Sequence, residues 1–306
     1  MGRTLAPIVL FVYRRLNHTK RVVAALQSNP LAKDSPLIIY ADAARTANEQ
    51  LAVSEVRAFI KTIEGFQSVK IYEQEKNLGL AQSIELGVTE VINDYGRVIV
   101  LEDDVLVAPH FLSFMNQALD RYQASANVWH VSGWNYPIVK KNIPSKNTIS
   151  PQVEESCFFS IQMNCWGWAT WQDRWGYYKK DPHDLINRWR WRDVLRFNLY
   201  SPANFWLQVK RNASGGLNTW AVFWYSTLFE RKGLCLNPVR SLTHNIGFDG
   251  SGMHCHQSLV DQIGLANHQV LSWPESIAVN KMLQFKIMLY LWQPLPLLSR
   301  LLKKLF

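Results

Sequence analysis

Over its first 125 residues the chain alternates short apolar runs of β-forming residues with longer stretches of helical periodicity. PIVLFVY (7–13) precedes a predicted helix in HTKRVVAALQSN, and PLIIYAD (36–42) precedes another from about Thr46 to Ile63. SVKIYEQ (68–74) is the third run. LAQSIELGVTEVIND (80–94) follows it, with Leu80, Ile84, Val88 and Val91 at helical spacing. RVIVLED (97–103) is the fourth run. Strands that alternate with helices predict an α/β fold with a parallel, doubly wound sheet. Such sheets bind ligands beyond the carboxyl ends of their strands.

That rule gathers three polar clusters on one rim. Tyr13-Arg14-Arg15, Ala41-Asp42 and Glu102-Asp103-Asp104 each follow the apolar part of a predicted strand. Three consecutive acids against a buried strand carry repulsion and desolvation costs. A divalent cation gives them a use. Mn²⁺ or Mg²⁺ takes hard oxygen ligands and bridges a carboxylate to a diphosphate, neutralising charge on a departing nucleoside diphosphate. One acid suffices for the cation, and its neighbours are free for ribose or sugar. The plain alternative is a solvated acidic turn that ends a strand. The chain has no G-x-x-x-x-G-K-[ST] loop, no G-x-G-x-x-G after its first strand and no G-x-S-x-G elbow. NTPase, dinucleotide-binding and serine hydrolase readings therefore fall away, and a nucleotide-sugar enzyme stands.

Beyond residue 109 a helix is predicted to about Gln123, a strand in VWHVSGWN (128–135), a polar loop over 135–156 and a short strand in CFFSI (157–161). Tryptophans crowd the stretch from Trp166 to Trp224, which reads as helices with aromatic contacts. Each tryptophan is either core or a platform for a sugar face. The 306 residues, 48% hydrophobic and 19% charged, suit one compact domain with appendages. The four cysteines have no paired spacing and the N-terminus shows no signal-peptide pattern, so free thiols and a cytoplasmic setting are expected.

Several segments together resemble the GT-A glycosyltransferases, above all N-acetylglucosaminyltransferase I and bacterial family-two-like sugar transferases. APIVLFVYRRLNHTKRVVAAL looks like that family's opening strand and helix, and PLIIYADAA like its second strand. RVIVLEDDVLVAPHFLSFMNQAL is similar to its E-D-D segment, and NCWGWATWQDRW resembles its G-W segment. NIGFDGSGMHC (245–255) looks like a motif of bacterial relatives. The likeness implies a GT-A fold over 1–280, with a nucleotide-sugar half (1–125) and an acceptor half (126–280). It implies transfer of a sugar, from UDP in particular, to a glycan or lipid-linked acceptor in bacterial surface polysaccharide assembly, with inversion. It also implies that Asp104 coordinates Mn²⁺ or Mg²⁺, that Asp103 holds the ribose and that Glu102 contacts the sugar. Arg15 would lie near the nucleotide and Asp42 would read the uracil edge. Asn77 and Gly79 in KNLGLAQS resemble a donor-binding N-x-G.

One departure concerns the base. The family's W-D-D-W segment carries a catalytic carboxylate, whereas Trp220-Ala221-Val222-Phe223-Trp224 has no acid. A base must accept the acceptor's hydroxyl proton, and Asp173 is the first candidate, with Glu230 and Asp249 beside it. His254 could approach the diphosphate or the metal, and Gly247, Gly250 and Gly252 suit a loop that closes on a ligand. A nucleotidyltransferase on the same rim, or a non-catalytic glycan- or membrane-binding protein, remain the alternatives. The net charge of +9 favours an anionic partner. Because basic residues flank leucines in the last stretch, that partner is expected to be a membrane rather than nucleic acid. Residues 281–306 form a predicted amphipathic tail, in which Leu297, Leu298, Leu301, Leu302 and Leu305 share a face opposite Arg300, Lys303 and Lys304. The expected location is peripheral, on the inner face of the cell membrane.

Overall fold

The computed structural model describes residues 5–138, 156–249, 265 and 269–292. Among these residues lies an eight-stranded sheet, in the order β3-β2-β1-β4-β8-β6-β9-β7. Four strands pair in parallel: β1 (Ile8–Val12), β2 (Pro36–Ala41), β3 (Ser68–Glu73) and β4 (Arg97–Glu102). Between them run α1 (Leu16–Gln27), α2 (Gln50–Ile60) and α3 (Leu80–Tyr95). Every residue of β1 and β2 is buried, as expected of strands covered by helices on both faces. This is the predicted α/β architecture, with four of the seven strand pairings parallel.

After β4 come the short β5 (Val105–Val107), α4 (Phe111–Tyr122), β6 (Val128–Ser132) and β7 (Cys157–Ser160). The tryptophan-rich stretch then departs from its predicted helices. Trp168–Trp171 is a strand, β8, inserted antiparallel between β4 and β6. Its side chains alternate between two buried layers. Trp168 packs into one hydrophobic layer with Trp175, Trp220 and Trp224, while Ala169 and Trp171 pack into the other. Spacing between tryptophans hid that alternation, because both faces of the strand are core. Trp168, Trp171, Trp175, Trp220 and Trp224 are all buried, so these rings serve packing.

Helices α5 (Gln172–Trp175), α6 (Pro182–Arg188), α7 (Trp191–Phe197), α8 (Phe205–Ala213) and α9 (Ala221–Arg231) lead to β9 (Leu234–Pro238) and β10 (Thr243–Asn245). The last described helix, α10 (Lys281–Leu291), forms the start of the predicted tail yet packs on the body. Its Leu283 and Ile287 meet Phe158 and Val239, and the Gln284 side chain accepts from Ile161 N at 3.1 Å and donates to Gln162 at 3.0 Å. The leucine pattern at 297–305 lies outside the described residues.

Candidate active site

The pairing of Phe11 with Glu102 sets the end of β4 beside the turn that follows β1. The Tyr13 amide donates to Asp103 Oδ2 at 3.4 Å. The Arg15 guanidinium spans both aspartates. Its Nε donates to Asp103 Oδ1 at 3.1 Å, and its Nη2 donates to that oxygen and to Asp104 Oδ2, the latter at 2.9 Å. Asp103 and Asp104 are only 4% and 6% exposed. Burial holds the Asp103 carboxyl above the usual range, with Arg15 opposing and the Asp104 charge adding to the effect. At Glu102, burial first, then the charges of Asp104 and Asp103, push the carboxyl up to about 8. Burial works against the Arg15 charge, yet the two aspartates prevail and raise its pKa.

Asp104 Oδ1 stands apart: it is buried and has no hydrogen-bond partner among the described residues. Such an oxygen costs roughly 1–3 kcal/mol, more when charged, and as a hard donor it suits Mn²⁺ or Mg²⁺. Among the described residues no three His, Cys, Asp or Glu side chains converge as a cage. The donor set therefore fits a cation that takes one or two carboxylates and completes its shell with phosphate and water, the usual habit of Mg²⁺.

A distant segment closes over this turn. Strand β10 pairs antiparallel with β5, Thr243 against Val107 and Asn245 against Val105. Ile246 N donates to Asp104 O at 2.8 Å, and Gly247 N to Asn245 Oδ1 at 2.7 Å. A β-carbon at Gly247 would collide with Asp104 Oδ2 and come within 3.0 Å of Arg15 Nη1. The two most distinctive segments of the sequence thus meet at one point. Gly247→Ala is expected to displace the Asp104 carboxylate and raise the Mn²⁺ concentration needed for half-maximal turnover about tenfold or more, given roughly 1–3 kcal/mol for overpacking. A titration of turnover against Mn²⁺ checks this, and an unchanged midpoint refutes it. His254, Gly250 and Gly252 lie outside the described residues.

The other half of the rim is built around Asp42. Its Oδ1 accepts from Ala43 N and Leu78 N, both at 2.9 Å; its Oδ2 accepts from Gly79 N at 2.9 Å and Asn77 Nδ2 at 3.0 Å. Four donors occupy the carboxylate's four acceptor sites. Predicted as a reader of uracil, Asp42 has its acceptor capacity engaged in holding the Asn77–Gly79 loop. Gly79 takes φ +73° there, a conformation suited to glycine, at the start of α3. Arg57 ties the same region together by donating to Gln74 O at 2.6 Å.

Asp173 sits at the opposite edge of the sheet. Strand β8 runs antiparallel to β4 with Trp171 opposite Arg97, and Gln172 N donates to Gly96 O at 2.9 Å. Asp173 therefore lies past the amino end of β4. The acids lie at its carboxyl end, about 16 Å of strand away. Asp173 is exposed and pairs with Arg174 at 2.5 Å. Glu230 falls in the last turn of α9, just before β9, which is parallel to β6 and so starts at that same far edge. There it accepts from Trp189 Nε1 at 2.9 Å and pairs with Arg188 at 2.8 Å. Of the three predicted bases only Asp249 reaches the acidic rim, two residues past Gly247. Its Oδ2 lies 3.2 Å from His18 Nε2, which also approaches Ile246 O at 3.3 Å. His18 went unpredicted. The signal was its place three residues after Arg15, one turn along the same helix face.

The GNT-I family model matches residues 2–191. No curated protein matches the chain. Among solved structures, the chain is similar to the mannosyltransferase PcManGT from Pyrobaculum calidifontis in complex with GDP-Man and Mn²⁺. That match has 12% identity and a TM-score of 0.41, over 76% of this chain and 72% of that one. It is also similar to S. aureus TarS, at 8% identity and a TM-score of 0.42, over 78% of this chain but only 36% of that longer one. A third is the galactosyltransferase LgtC in complex with donor and acceptor sugar analogs, at 13% identity and a TM-score of 0.34, over 72% and 70% of the two chains.

Proposed function

Because this chain belongs to the GNT-I family and is a glycosyltransferase, we propose that it moves a sugar from a UDP-sugar to a hydroxyl of a glycan or lipid-linked acceptor, with inversion, using Mn²⁺ or Mg²⁺ held by Asp104. The observation that carries this reading is the buried, unpartnered Asp104 Oδ1 at the carboxyl end of β4. The setting, bacterial surface polysaccharide assembly on the inner face of the cell membrane, follows from the sequence likeness to bacterial relatives and from the basic C-terminal stretch.

Each residue has a task in this reading. Bound at Asp104, the cation offsets charge on the leaving diphosphate. Arg15 keeps Asp103 and Asp104 from repelling each other before the donor arrives, and Asp103 fixes the turn at the ribose. Glu102, ionised once the cation is bound, can accept a hydrogen bond from a sugar hydroxyl. Asp42 acts through the Asn77–Gly79 loop, which receives the nucleoside. Asp249, half-exposed and held by His18, is the candidate base for the acceptor proton.

A panel of nucleotide sugars assayed for hydrolysis and transfer, with and without Mn²⁺, tests the reading; indifference to every donor refutes it. Asp249→Asn should cut transfer about a hundredfold or more while donor binding persists, and Asp173→Asn should leave transfer near wild type. The opposite ranking would return the base to Asp173. A pH dependence also follows. A cation beside Glu102 favours its ionised form, so binding below about pH 8 expels its proton. Mn²⁺ affinity should rise with pH, by up to about tenfold per unit, and level off above about 8. Glu102→Gln should flatten that slope in calorimetric titrations, and a slope that survives the substitution assigns the proton elsewhere.

A further inference from the structure

The last described helix is apolar on two opposite sides. Met282, Phe285, Leu289 and Trp292 recur at spacings of three and four, which sets them on one side of α10. They are 55%, 57%, 52% and 56% exposed. The opposite side, with Leu283 and Ile287, is packed on Phe158 and Val239. A helix apolar all round belongs in a core or at a lipid boundary, yet α10 lies at the surface, and no described helix is long and apolar enough to cross a membrane. The bare side also continues onto the body. Trp292 Nε1 donates to Tyr200 O at 2.8 Å. Tyr200 is itself half-exposed and, like Leu199 before it, is held at positive φ (50° and 57°), a strained pair for residues other than glycine.

We propose that this outward side of α10, with Tyr200, is a rigid docking face for an anionic lipid bilayer. It rests on the membrane part of the proposed function and gives that part an orientation. Charge decides between occupants. Lys281 and Lys286 flank the bare side, one along each edge, and α10 carries no acid. A second copy would set lysines against lysines, whereas an anionic headgroup layer attracts them. Tryptophan and tyrosine at the edge of an apolar strip suit the headgroup boundary. Because α10 is pinned through Leu283, Gln284 and Ile287, the face would hold the catalytic domain at one fixed attitude rather than on a loose tether.

The test is co-sedimentation of the full chain with phosphatidylcholine vesicles, with and without phosphatidylglycerol, for wild type and for Phe285→Glu/Leu289→Glu. Both side chains are exposed, so folding should persist, as thermal unfolding and Mn²⁺-dependent donor hydrolysis would register. Wild type should bind only the anionic vesicles. The double variant should bind about a hundredfold more weakly, at roughly tenfold per lost apolar side chain. A wild type that ignores anionic vesicles overturns both the face and the membrane reading. Equal binding by the variant overturns the face alone. A variant that binds as wild type but melts earlier shows the side covered by this chain's own last residues. One that only converts a dimer to a monomer shows it covered by a second copy. Either result refutes lipid as the occupant.

Discussion

Asp104→Asn should lower kcat/KM for the nucleotide-sugar donor by about a thousandfold, the scale of losing a principal electrostatic contact to the leaving group, and should abolish the response to Mn²⁺. The substitution keeps the side chain's shape and removes one charge from a cluster of three acids and one arginine. The melting temperature should therefore move little, because the weaker contact with Arg15 is offset by less repulsion against Asp103 and Glu102. Turnover measured across an Mn²⁺ series in parallel with thermal unfolding separates the two effects. A variant within tenfold of wild type and still responsive to Mn²⁺ would remove Asp104 as the ligand.

Arg15→Met should produce the largest loss of stability of any substitution at the rim. Arg15 is the cation that faces both Asp103 and Asp104, and its side chain is 19% exposed. Its removal leaves two nearly buried carboxylates uncompensated, which costs about 3–5 kcal/mol. For a chain of this size that is a fall of roughly 6–20 °C in melting temperature. The distinctive expectation is rescue. Millimolar Mn²⁺ should restore part of the loss in Arg15→Met and do much less for wild type, since in the variant the cation would be the sole compensating charge. A further Asp103→Asn change should also restore stability. If neither helps, the cost of losing Arg15 lies in packing rather than in charge.

Much of the first 125 residues could be read from the sequence because their signals are local. Each apolar run was long enough to fill a strand, and each acid or arginine that followed had only one rim to occupy. The partners of those residues were not legible. Asp42 carries the sequence signal of a nucleobase reader, but its geometry depends on backbone amides of Leu78 and Gly79, which no side-chain pattern reveals. Trp168–Trp171 escaped notice because a strand buried on both faces shows no polar alternation. The place of Asp173 is hidden for the same reason: without β8 as an antiparallel strand, nothing shows that the chain has turned toward the opposite edge. The sequence offers Asp249 as a candidate without favouring it, since its closeness to His18 spans most of the chain.

That span has a consequence for synthesis. His18 and Ile246, which meet beside the acid turn, are 228 positions apart. At roughly 5–20 residues per second a ribosome needs about ten to forty-five seconds to deliver the second after the first. For that interval the Asp103–Asp104 turn exists without the strand that clasps it, and Arg15 is the cation that faces it. The nascent chain therefore carries an acid turn that is only partly compensated and not yet clasped. On the proposed reading, competence for the donor is set by the arrival of Thr243–Asn245 rather than by the folding of the first sheet, so an unfinished chain would not sequester nucleotide sugar.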